Sequence, residues 1–176
     1  RIYGNQNLVV FISEIKIPNY LLSSLARAMI DWARKNKCRG IISMEGMPIE
    51  EMVEDINVYG VGSTENALNM LRSNNIKIAN SGMISGMSAL LLNEGDVTNF
   101  DVVCLLADAH PGFPDARSAA KLVETIDLLL PEIEIDTDPL YRHAEVMEEK
   151  IRIAIKQKKL AEERDEKEGL TPIMYG

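Results

Sequence analysis

The chain has 176 residues, 46% hydrophobic and 26% charged, with a net charge of -8. That length builds one α/β-sized domain that buries roughly 70% of its unfolded surface, so no disulfide or metal is needed to hold a core. An acidic chain repels phosphate backbones and anionic lipid, and the longest apolar run, Val102 to Ala107, is far short of the ~20 residues that span a bilayer. Nucleic acid and membrane are therefore excluded as expected partners. Two cysteines, Cys38 and Cys104, make neither a disulfide framework nor a zinc site, and they suit a reducing cytoplasm. The chain starts without Met and almost at once with strand-like sequence, as expected of the retained part of a longer protein.

Leu8-Val9-Val10-Phe11-Ile12 is a continuous apolar run, the pattern of a parallel strand buried on both faces. After Pro18-Asn19 the period turns helical, with Leu21, Leu25, Ala28, Met29 and Trp32 on one face and an end near Asn36 to Cys38. Gly40 to Met44 and Ile56 to Tyr59 read as strands, and the Gly60-Val61-Gly62-Ser63-Thr64 turn leads to a helix carrying Ala67, Leu68 and Leu71. Ile76 to Ala79 is a further strand. Gly82 and Gly86 frame a turn into a helix from Ser88 to Asn93. Asp101 to Ala107 is the clearest central strand. A Pro/Gly-rich loop, His110 to Pro114, follows it, and Asp115 caps a helix whose face is Ala116, Ala119, Ala120, Val123, Ile126 and Leu130.

After the acidic connection Pro131 to Pro139, a last helix starts near Pro139 with a stripe of Leu140, Ala144, Met147, Ile151 and Ile155. The alternation predicts an α/β domain over residues 1–155 with a mostly parallel sheet and flanking helices. Residues 156–176 form a charged helical extension and a flexible tail. Glu148 to Glu168 carry seven basic and seven acidic side chains, so this stretch is a neutral, solvated stalk.

Candidate ligand sites lie at strand ends. Gly60-x-Gly62-Ser63-Thr64, at a helix start, has a place for a phosphate but neither a third glycine in dinucleotide register nor a P-loop lysine. Ser81-Gly82-x-x-Ser85-Gly86 stands the same way. Asp108 and His110 follow the central strand, Glu14 and Glu45 follow others, and a carboxylate pair can do acid–base work. His143 falls in the first turn of the last helix. No nucleophile elbow and no metal-ligand spacing occurs, and no cofactor or catalytic residue is expected.

The ending Leu170-Thr171-Pro172-Ile173-Met174-Tyr175-Gly176 sets apolar groups and a free carboxylate at the tip of a polar stalk. Such a tail can fold back on its own domain or serve as a docking peptide, in which Met174 suits an apolar groove, Tyr175 brings a ring and a hydroxyl, and the Gly176 carboxylate suits a lysine. This ending resembles the hydrophobic–tyrosine–any-residue motif that proteasome activators and some assembly chaperones insert between core-particle α-subunits. Leu8 to Glu14, Pro111-Gly112-Phe113-Pro114-Asp115 leading to Ala119-Ala120, and Ile135 to Leu140 resemble the archaeal form of the proteasome assembly chaperone family, from Arg1 to about Ile155.

The resemblance implies a nucleoside-phosphorylase-like α/β fold and a cytoplasmic homo-oligomer that is not an enzyme. It implies that Met174, Tyr175 and Gly176 bind proteasome core-particle α-subunits. Members usually carry a further Gly-rich segment before the strand at Leu8; it is absent here, so part of the sheet is expected to be missing or supplied otherwise. Related archaeal sequences have been placed with ATP-grasp ligases. The alternative is therefore a nucleotide- or small-molecule-binding enzyme, ATP-grasp-like or phosphorylase-like, using Glu45, Gly60, Gly62, Asp108 and His110.

Overall fold

A computed structural model describes residues 1–49, 55–111, 115–133, 135–147, 149–150, 153 and 157. Its centre is β6 (Val102–Ala109), buried from Val102 through Asp108, as the apolar run predicts. On one side it pairs in parallel with β3 (Ile41–Pro48), from Ile41 opposite Val102 to Pro48 opposite Ala109. On the other it pairs antiparallel with β4 (Val58–Gly62), which pairs in parallel with the short β5 (Lys77–Ile78). The order β3-β6-β4-β5 is thus a mixed, mostly parallel sheet.

Alternate side chains of β6 feed two cores. Val103, Leu105 and Ala107 pack with Ala67 and Leu71 of α2 (Glu65–Ser73) and Leu122 and Leu129 of α4 (Ala116–Leu129). Val102 packs with Leu91 of α3 (Gly86–Thr98) and with Ala26, Ile30 and Ala33 of α1 (Asn19–Lys35). A fifth helix, α5, occupies 138–147 beside Pro139 and buries Ala144 with Leu140 and Met147 half-buried on the same stripe. Ile151 and Ile155 of the expected stripe lie outside the described residues, as does nearly all of 156–176.

Several expectations are corrected. The Leu8–Ile12 run is not a parallel strand of the main sheet. β2 (Val9–Phe11) pairs antiparallel with β1 (Ile2–Gly4) in a separate two-stranded sheet and is mostly exposed. The Asn5 side-chain oxygen accepts the N–H groups of Asn7 and Leu8 at 2.8 and 2.9 Å and turns β1 back onto β2. An apolar run alone does not separate a central strand from such a ribbon.

In α1 the buried face is Ala26, Ile30 and Ala33, because small residues let it lie close on α3, and Leu21 and Ala28 are exposed. In α4 the buried row includes Ser118 and Thr125, while Ala119 is exposed. Both hydroxyls are satisfied there, Ser118 donating to the Asp108 carbonyl at 2.5 Å and Thr125 to the Lys121 carbonyl at 2.8 Å. The turn at Gly82 and Gly86 is as expected, with φ of 133° and 68°, and α3 runs beyond the predicted Ser88–Asn93 at both ends.

Candidate functional site

Gly60 and Gly62 sit inside β4, not in a loop after it. A Cβ at Gly60 would lie 2.5 Å from Leu71 Cδ2, and one at Gly62 would lie 2.9 Å from the Leu68 nitrogen. These glycines admit α2 against the sheet. The neighbouring hydroxyls are also committed. Ser63 Oγ donates to the Phe100 carbonyl and accepts from the Val102 N–H, and Thr64 Oγ1 caps α2 by accepting from Ala67 N–H at 3.0 Å. Thr64 and Asn66 both donate to the Asp101 carboxylate, which with Arg39, Glu65, Asn99 and Phe100 lines an open cleft of about 390 Å³. A phosphate there would face the carboxylates of Asp101 and Glu65, so the turn reads as structural and not as a phosphate seat.

At the other end of β6 lies a polar bracket. Asp108 is 7% exposed. Its Oδ2 accepts from the Asn57 N–H at 3.2 Å and from Asn57 Nδ2 at 3.0 Å, and its own N–H donates to the Asn57 carbonyl at 3.1 Å. Lys77 Nζ donates to Asn57 Oδ1 at 3.1 Å and stands 5.9 Å from the Tyr59 ring centroid. Asp115 caps α4 as predicted, accepting from Ser118 N–H at 2.9 Å, and its second oxygen accepts from His110 N–H at 3.2 Å. The bracket ties the ends of β6, β4 and β5 to the start of α4.

Asp108→Ala strips Asn57 of its side-chain acceptor and is expected to cost about 1–3 kcal/mol of unfolding free energy, read by urea titration.

Other candidates are dispersed. Glu14 pairs with Arg1 at 3.1 Å, Glu45 stands opposite Leu106 in β3, and no hydrogen bond or ion pair joins the two carboxylates. His143 is exposed on α5. Burial pushes the Cys104 thiol up, with the Glu45 charge adding to it and hydrogen bonds from Ser43 and Ser88 opposing it. It is a protonated core residue. Among the described residues no cluster of His, Cys, Asp and Glu is placed to hold a metal ion, and no helix is long and apolar enough to cross a membrane.

The start of α5 is held firmly. Tyr141 of α5 donates to Glu124 Oε1 at 2.6 Å, and Lys121 reaches Glu124 Oε2 at 3.1 Å. Upstream, Asp127 Oδ1 accepts from Ile135 N–H at 3.2 Å. Burial raises the Glu124 carboxyl, but the bonds from Tyr141 and Lys121 and the Lys121 charge outweigh it and leave it below its ordinary range. Burial, then the bond to Glu124 and its charge, push the Tyr141 hydroxyl up from 10.0 to about 12. A raised folded-state value means that the Tyr141 hydroxyl's contribution is lost as pH rises through about 12, while the lowered Glu124 carboxyl means that the pair is also lost at the acid end, as pH falls through the carboxyl's folded value.

Tyr141→Phe is therefore expected to lower stability by about 0.5–1.5 kcal/mol at pH 8. Its gap to the parent should close as the pH of the melts approaches 12. Sequence spacing did not point to Asn57, Lys77, Ser118 or the Tyr141–Glu124 pair, since each acts through a residue distant in the chain. The docking residues Met174, Tyr175 and Gly176 lie outside the described residues.

The sequence profile of the PAC2 family matches residues 1–155. The chain belongs to the PAC2 family. Among solved PAC2-like structures, Pyrococcus furiosus PbaA, an archaeal homologue of proteasome-assembly chaperone, is 30% identical, with a TM-score of 0.81 over 96% of this chain and 70% of its own. Pyrococcus furiosus PbaB, an archaeal proteasome activator, is 23% identical, with a TM-score of 0.71 over 80% of this chain and 62% of its own. A proteasome-assembly chaperone homologue from Mycobacterium tuberculosis is 13% identical, with a TM-score of 0.62 over 78% of this chain and 58% of its own. These last two share the PAC2 fold. No curated protein matches the chain.

Proposed function

We propose that the chain is a proteasome assembly chaperone-like protein that binds core-particle α-subunits through its C-terminal tail. The observation that carries the reading is membership of the PAC2 family, with 30% identity to PbaA across 96% of the chain. The tail residues have matching roles. Met174 is the apolar anchor, Tyr175 supplies a ring and a hydroxyl, and the Gly176 carboxylate pairs with a lysine. The anchoring of α5 on Glu124 supports this reading, because a fixed base directs whatever follows it.

A short flexible peptide is ordered on binding and so binds weakly alone, while several tails on one cytoplasmic homo-oligomer bind together. The test is competition. A synthetic peptide of residues 170–176 should displace the chain from immobilised core particle, at concentrations roughly 10²–10⁴ times those at which the intact protein binds. A peptide that never competes contradicts the reading.

A further inference from the structure

α5 is built unlike the other helices. Of its residues 138–147 one is buried, Ala144, whereas α1 to α4 bury two to five side chains each. An alanine brings little apolar surface. Leu140 and Met147 beside it are half-buried, and Val146 is 52% exposed. Among the described residues, neither core of the sheet holds a residue after Leu130. The latch that joins α5 to α4 is polar. Tyr141 donates to Glu124 at 2.6 Å, and the Glu124 side chain is 35% exposed, so water can take the place of the hydroxyl. A bond that water can replace adds little net free energy. Segments with few buried apolar contacts open as separate units, below the free energy of global unfolding.

The chain also supplies a pivot. The connection before α5 is tied to the body at Glu132, which pairs with Arg39, and at Ile135, whose N–H donates to Asp127 Oδ1 at 3.2 Å. The next bonds belong to the helix itself. Asp136 Oδ1 accepts from the Asp138 N–H at 3.0 Å, and the Thr137 carbonyl accepts from the Leu140 and Tyr141 N–H groups at 3.0 and 3.2 Å. These bonds are local and travel with α5. The link between Ile135 and Asp136 is thus where the helix can turn without breaking its own start.

We propose that α5 is a detachable arm, which swings off α4 about the Ile135–Asp136 link while the α/β body stays folded. The Tyr141–Glu124 bond sets how often it does so. The latched form is the ground state and holds the arm's direction. The released form adds reach: ten helical residues are about 15 Å long, so a swing about the start carries whatever follows through a distance of that order. This deepens the tail-docking reading and rests on it for its use. Arms that swing let several tails engage pockets at unequal distances, and tails whose geometry forbids joint engagement lose their avidity.

The test uses the full chain without core particle. Ala144→Cys places a thiol under the arm, and Cys104, fully buried in β6, reports opening of the body. A thiol reagent, with the labelled sites read by peptide mass, should modify the introduced thiol at least ~10-fold faster than Cys104. Adding Tyr141→Phe should speed the introduced thiol about 2- to 12-fold, the loss of one net hydrogen bond, and leave Cys104 unchanged. Hydrogen exchange on the unsubstituted chain makes the same comparison between the backbones of 140–147 and β6, so a perturbing cysteine does not decide the outcome. Equal rates at the two places, or a Tyr141→Phe variant that speeds both alike, would overturn the proposal. Failure of tail docking is read separately, in core-particle capture.

Discussion

Leu105→Ala is expected to lower the unfolding free energy by about 2–5 kcal/mol. Leu105 is fully buried at the middle of β6 and packs in the core that joins α2 and α4 to the sheet. Truncation removes apolar contact there and leaves a cavity that the flanking helices cannot close, because Gly60 already holds α2 at its nearest approach. For a chain of this size that loss lowers the melting temperature by about 4–20 °C. In urea the midpoint should fall with little change in slope, since the surface exposed on unfolding is nearly the same. Leu128→Ala, one residue from buried Leu129 but itself exposed, should stay within about 0.5 kcal/mol of the parent.

The contrast between β6 and the first ribbon shows where sequence patterning is decisive. Six apolar residues followed by Asp108 and a Pro/Gly loop point to a central strand, and that is where Val102–Ala109 lies. Asp115 likewise reads as a cap because its partner, the Ser118 N–H, is three residues away. Leu8–Ile12 looks as apolar as β6, yet it pairs with β1 across the Asn5 turn, a short polar signal beside a louder hydrophobic one.

Gly60 and Gly62 resembled a loop because glycine more often marks one. What places them in a strand is the helix pressing on them, a tertiary fact. The Asp108–Asn57 bracket joins residues 51 apart, and Tyr141 meets Glu124 across two helices, so neither was legible before the fold was built. The family, in contrast, was legible from three short segments of the body.

The second large effect concerns the tail. Tyr175→Ala is expected to weaken core-particle binding per tail by about 30-fold or more, the loss typical of an aromatic hot spot. Extending the chain by one residue past Gly176 would move the carboxylate away from the lysine proposed to pair with it and should act in the same direction. Raising salt should weaken the parent more than a variant already lacking the carboxylate contact, because an exposed charge pair is screened. As expected of a docking tail, these changes should leave the melting temperature of the parent unaltered. In the proposed homo-oligomer their effect on capture should be steeper than in the isolated peptide, because every tail is altered together.

The most direct measurement compares capture of assembled core particle by the full chain and by a chain ending at Ile173. The account predicts that the shortened protein folds, keeps its oligomeric mass and loses capture to background. Undiminished capture by the shortened protein would contradict it.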